Sequence, residues 1–96
     1  MKILQVIPYF TPKRGGDVNV VFNVSKYLNK QGHEVTIITT DFEFDYEYSN
    51  LLTNVRVIPF KCFLNIGLFL YSPSMKSWLE KNIKNYDIVH LHNYRS

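Results

Sequence analysis

The first forty residues change hydrophobic period twice. MKILQVIP is a near-continuous apolar run, DVNVVFNVSKYLNK spaces its apolar residues for a helix, and EVTIITT returns to β-branched residues. A continuous apolar run suits a parallel strand covered on both faces, here over residues 2–8. Pro8 limits that strand, and Pro12 keeps residue 11 extended. Asp17 is the expected N-cap of the helix. Val18, Val21, Val24 and Leu28 form its apolar stripe, widened by Val20 and Tyr27. Gly32 is the expected C′ residue that ends it. Val35, Ile37 and Ile38, supported by Thr36, Thr39 and Thr40, make the second strand. Strand, helix and strand in so short a span is a βαβ unit, whose crossover is right-handed. Few folds other than a layered α/β arrangement accept such a unit.

The rest of the chain extends this pattern. Residues 54–59 (NVRVIP) read as a third strand. Ser72-Pro73 opens a second helix, with Ser72 as N-cap and Pro73 at N1. Met75, Trp78, Leu79 and Ile83 form its stripe, and Lys81 and Lys84 suit its negative end. Residues 86–91 (YDIVHL) read as a fourth strand. Between strands two and three, DFEFDYEY alternates acid and aromatic. In an extended chain this period of two puts all four rings on one face. It reads as a solvated loop or edge strand resting on the body, or as a carboxylate pair for acid–base work. The expected architecture is α/β, a Rossmann-like three-layer sandwich on a parallel four-stranded sheet of order 3-2-1-4.

Composition sets the outer limits. At 96 residues and 46% hydrophobic, the chain reads as one globular domain. The net charge of +3 is uneven, with an acidic block over residues 41–53 between two basic ones. This suits anionic ligands or a membrane surface, while the absence of basic–aromatic interleaving argues against nucleic acid. Cys62 stands alone, so no internal disulfide or thiolate metal site forms, and a reducing compartment is expected. Gln5 and Pro8 interrupt the apolar start, and no small-residue cleavage site follows, so a signal peptide is not expected. The greasiest stretch, residues 60–71, contains Lys61 and Asn65 and falls short of the ~20 residues a bilayer span needs.

The loop KRGG between the first strand and the first helix carries the chemistry. A helix N-terminus offers free N–H groups and a positive dipole end to anions. Glycine lets the backbone approach closely, and Lys13 and Arg14 add positive charge. The loop therefore suits a phosphate or diphosphate, although two glycines also serve a turn alone. Neither G-x-G-x-x-G nor G-x-x-x-x-G-K-[ST] is present.

Taken together, the strand ending in Pro8, the Gly15-Gly16 pair, the helix closing in Gly32-His33-Glu34-Val35 and the later strand Asp87-Ile88-Val89-His90-Leu91-His92 resemble a family-4 glycosyltransferase of the GT-B fold. The likeness spans most of the chain except residues 41–71. It implies two Rossmann-like domains facing across a cleft, with the acceptor held mainly by the N-terminal one. It implies transfer of a sugar from a nucleotide-sugar donor to a saccharide or lipid-linked acceptor, with retention and with no cofactor or bound catalytic metal. On this sequence Gly15 and Gly16 would sit under the donor diphosphate and sugar. The paired-glutamate motif, the basic pair and a further histidine that the family carries elsewhere do not occur up to Ser96. Residues 1–96 are therefore expected to be part of the acceptor-side domain, inactive alone, working in the cytoplasm on polysaccharide or glycolipid acceptors.

His90 and His92 alternate along one strand and point to one face. They read as one packed, hydrogen-bonded imidazole and one near the strand's carboxyl end, or as a metal pair lacking a third ligand. Ligands of open α/β sheets bind outside the carboxyl ends of strands. With strands one and four adjacent, His92 and Asn93 share a crevice with the glycine loop, which suggests an acceptor-side role. His33 reads as a surface residue. Residues 60–71 read as packing on the sheet or under a further domain, or as a lipid-facing surface at the inner face of the membrane. The rival readings are a self-contained flavodoxin-like binding or regulatory module and a nicotinamide-dependent oxidoreductase. The first would want carboxylates at its strand ends and finds only Asp41; the second wants the missing glycine fingerprint. If strand four is an open edge, the chain should self-associate.

Overall fold

In the computed structural model, which describes residues 1–62, 64–66 and 69–92, six strands and three helices follow one another. For Arg14 and for residues 64–66 and 69–71 only the backbone is described. β1 (Lys2–Val6) pairs in parallel with β2 (Glu34–Thr40) and with β6 (Ile88–Leu91), and β2 pairs in parallel with β3 (Arg56–Phe60). The order is β3-β2-β1-β6, so the chain's first, second, third and last strands stand as expected. β1 is two residues shorter than the apolar run, because Pro8 has no amide to give. The ladder ends at the bond from the Ile7 amide to the Ile38 carbonyl, 3.1 Å. Pro59 sits in β3, at the sheet's edge, where its missing donor costs least.

The alternation of strand side chains divides the core in two. Ile3, Ile7, Val35 and Ile37 face α1 (Gly16–Lys30), packing with Phe10, Val18, Val21, Leu52 and Val55. Leu4, Val6 and Ile38 face α3 (Pro73–Asn82), packing with Met75 and beside Trp78 and Leu79. Helices therefore cover both faces, giving the three layers. Each fully buried aliphatic or aromatic side chain contributes about 1.5–3 kcal/mol.

Several local expectations change. α1 begins at Gly16 with Gly15 as N-cap, so Asp17 lies inside the first turn rather than capping it. The buried stripe of α1 runs through Val18, Val21 and Ser25, with Phe22 and Leu28 beside it. Ser25 is fully buried there. Val20, Val24 and Tyr27 instead form an exposed second stripe, 55%, 40% and 61% accessible. α1 ends on Gly32 at φ +93, where the His33 amide donates to the Leu28 carbonyl and the Gly32 amide to Asn29. The Met1 ammonium lies 3.2 Å from His33 Nδ1, so this histidine helps to hold the start of the chain.

The acid–aromatic segment is not extended. It turns after β2 and forms α2 (Tyr46–Asn50), capped by Asp45, whose Oδ1 accepts from the Tyr48 amide at 2.9 Å. Helical geometry separates the rings: Tyr48 lies between Phe10 and Phe22, Phe44 meets Tyr46 edge-on, and Tyr46 stays 65% exposed. Capping and ring burial together outweigh the period-two pattern. β4 (Leu64–Ile66) and β5 (Phe69–Tyr71) pair antiparallel, which periodicity did not foretell. α3 is capped as expected, by Ser72 Oγ accepting from the Met75 amide at 3.3 Å. Ile83 lies outside its stripe, 46% exposed in a following 3-10 turn. Asp87 ties β6 to β1: its carboxylate accepts from the Lys2 amide at 2.7 Å, and its amide donates to the Lys2 carbonyl at 2.8 Å. Among the described residues no helix is long and apolar enough to cross a membrane.

Candidate functional site

The carboxyl ends of β1, β2 and β6 bring three segments together. After β1 the chain passes through a 3-10 turn (Pro12–Arg14) into Gly15 and α1. The two glycines differ. Gly15 has φ +81 and ψ −136, a conformation side chains rarely adopt, and its amide donates to the Pro12 carbonyl at 3.2 Å. Gly16 is the first helical residue and lies outside the left-handed region. A Cβ added there would meet nothing within 4 Å. The turn thus requires glycine at 15, while nothing among the described residues requires it at 16.

The second segment is the end of β6. Residues 88, 90 and 92 face the α1 side of the sheet, as the alternation predicts. His90 and His92 stand edge to face with ring centroids 6.2 Å apart. The structure gives both expected histidine properties to His92 and leaves His90 exposed. The His92 amide donates to the Val6 carbonyl at 2.8 Å, and its Nε2 lies 2.7 Å from Oε1 of Gln5. Gln5 is 1% exposed, the one amide side chain in the buried part of β1. Burial lowers the His92 pKa first, His90 lowers it further, and Asp17 opposes them. Asp17 acts on His92 electrostatically from the first turn of α1, so the start of that helix and the end of β6 lie in one neighbourhood. Asn93 lies outside the described residues, as do Tyr94 and Arg95. Among the described residues no three His, Cys, Asp or Glu side chains converge on a point.

The third segment follows β2. Thr40 Oγ1 donates to the Pro8 carbonyl at 2.5 Å, tying the ends of β1 and β2 together. The Asp41 carboxylate accepts from the Cys62 amide at 2.8 Å, so the single acid that a phosphoacceptor module could use is a backbone clasp here. Glu43, Phe44, Asp45, Tyr46 and Glu47 line an open depression of about 460 Å³ whose other wall is Thr11 and Lys13. The acidic block and the basic loop thus meet across one hollow. A solvated loop or edge strand over 41–48 gives no sign of this depression; the signal for it in the sequence is Asp45 three residues before Tyr48, at N-cap spacing. Burial first, and Asp45 second, raise the Tyr48 pKa, and the neutral phenol donates to Asn19 Oδ1 of α1 at 3.1 Å. This bond links the depression to the helix that starts at the glycine loop.

Residues 14–96 match the family model described as Glycosyltransferase Family 4. No curated protein and no solved structure matches the chain.

Proposed function

Since the chain belongs to glycosyltransferase family 4, we propose that it forms the acceptor-side half of a GT-B cleft in which a sugar moves from a nucleotide-sugar donor to a saccharide or lipid-linked acceptor, with retention. Gly15 and Gly16 receive the donor diphosphate at the start of α1, and His92 and Asn93 serve the acceptor. The observation that carries this reading is Gly16. Among the described residues its glycine has no conformational or steric cause. A missing Cβ at a helix N-terminus leaves N–H groups open to a phosphate oxygen. As the leaving diphosphate gains charge, amides already aimed at it stabilise it without reorganisation.

The 96 residues alone release no nucleoside diphosphate, because the donor's other contacts come from a second domain. The reaction runs in the cytoplasm, in polysaccharide or glycolipid synthesis, with a peripheral contact at the inner face of the membrane; of the stretch 60–71, Phe60 packs beside Trp78 and the side chains of 63–71 lie outside those described. Co-sedimentation with anionic vesicles tests that contact, and a supernatant that keeps all the protein removes it.

Amide spectra recorded with a nucleoside diphosphate test the site. Residues 15–18 should shift with the diphosphate and stay still with the bare nucleoside. Equal response to both compounds, or none to either, would defeat the proposal.

A further inference from the structure

We propose that Gln5 is a positioning residue that holds His92 in its Nε2–H tautomer and so keeps Nδ1 as a hydrogen-bond acceptor at the mouth of the crevice. The inference begins with an anomaly in the strand. β1 is KILQV, the central strand of a sheet covered on both faces, and its third buried side chain is an amide. A buried amide without partners is costly, so its presence calls for a bond that offsets the cost. That bond goes to His92 Nε2 at 2.7 Å, across 87 positions of sequence.

Register explains the meeting. β1 and β6 pair in parallel with Gln5 opposite His90, and His92 lies one step beyond the last pair, Val6 with Leu91. Gln5 and His92 therefore stand diagonally on one face, within reach of a long side chain. Oε1 only accepts, so the ring nitrogen facing it carries the proton. An imidazole that donates from Nε2 and is neutral accepts at Nδ1. Among the described residues His92 makes no other side-chain bond, and none of them claims Nδ1. The charged groups around the ring favour this neutral state on balance: burial and His90 work against protonation, and only Asp17, from α1, favours it. A neutral acceptor atom beside the helix N-terminus suits a hydroxyl of the sugar or of the acceptor. That use rests on the transferase reading; the tautomer itself does not.

The test is long-range proton–nitrogen spectroscopy of the 15N-labelled chain without ligand, above pH 7. His92 should show the Nε2–H pattern, with an Nε2 proton slow enough to observe. In Gln5→Met, which keeps length and removes the acceptor, that proton should exchange rapidly and the tautomers should mix. In Gln5→Glu the carboxylate should raise the His92 midpoint by roughly 1–3 pH units. An Nδ1–H pattern in the parent chain means that the Gln5 amide donates instead, and overturns the proposal. So does a His92 spectrum unchanged in Gln5→Met. If Gln5→Glu does not fold, the first two measurements still decide. Neither outcome touches the diphosphate titration, so the two readings fail separately.

Discussion

Alanine at position 15 and alanine at position 16 should push stability in opposite directions. At Gly15 the backbone has φ +81 and ψ −136, and forcing a Cβ into such a region costs of order 1–3 kcal/mol. The space itself is empty, with nothing within 4 Å, so the cost is conformational rather than a clash. For a domain of this size each kcal/mol lowers Tm by about 4–8 °C. At Gly16 the backbone is helical and the space is again open. There alanine restricts the unfolded chain without straining the folded one, for a gain of about 0.4–1 kcal/mol. Thermal melts followed by circular dichroism would show one variant falling and the other rising slightly. Binding should separate them again. Gly16→Ala, though well folded, should weaken a nucleoside diphosphate about tenfold, or 1.4 kcal/mol, by standing where a phosphate oxygen approaches. Parallel losses of stability in both variants would refute the division into a turn glycine and a ligand glycine. So would a Gly16→Ala protein that binds as well as its parent.

Three more outcomes follow from the same geometry. Ser72→Ala removes the acceptor for the Met75 amide and should lower stability by about 1 kcal/mol in urea titration, with Ser72→Asp largely restoring it. The lowered pKa of His92 means that the unfolded chain takes up its proton first as pH falls. Its contribution is therefore full above about pH 6.5 and lost as pH falls towards the lower, folded value. His92→Asn should flatten that part of the stability profile; an unchanged slope would assign the effect elsewhere. β6 shows Leu91 64% exposed and, among the described residues, pairs only with β1, so light scattering should find mass rising with concentration. A constant monomer up to high concentration would dismiss that expectation.

What could be read from the sequence was what local chemistry decides. The parallel strands follow from their apolar runs, and the handedness of their crossover from the βαβ unit. The Ser72 cap and the Gly32 stop each depend on a few neighbouring residues. What could not be read depended on distant partners. Asp45 and the rings of Phe10 and Phe22 turn an alternating segment into α2, against its own period. Gln5 looks like a flaw in an apolar run until β6 brings His92 beside it. Gly15 and Gly16 are indistinguishable as letters and differ only in backbone angles. The same is true of the stripe on α1, where Val24 has the right spacing but Ser25 takes the buried place.

β1 lies between two partners, matched at five positions with β2 and at four with β6. It leads into the glycine loop, carries Gln5 and supplies the carbonyl that holds His92. Hydrogen exchange should therefore find the base of the crevice among the last regions to open, released only when the whole domain unfolds. α2, a five-residue helix outside the sheet, should open at lower energy. The depression beside Lys13 then has one wall that breathes and one that does not. Adjustment to different ligands would fall to α2, while the glycine loop and His92 keep a fixed spacing.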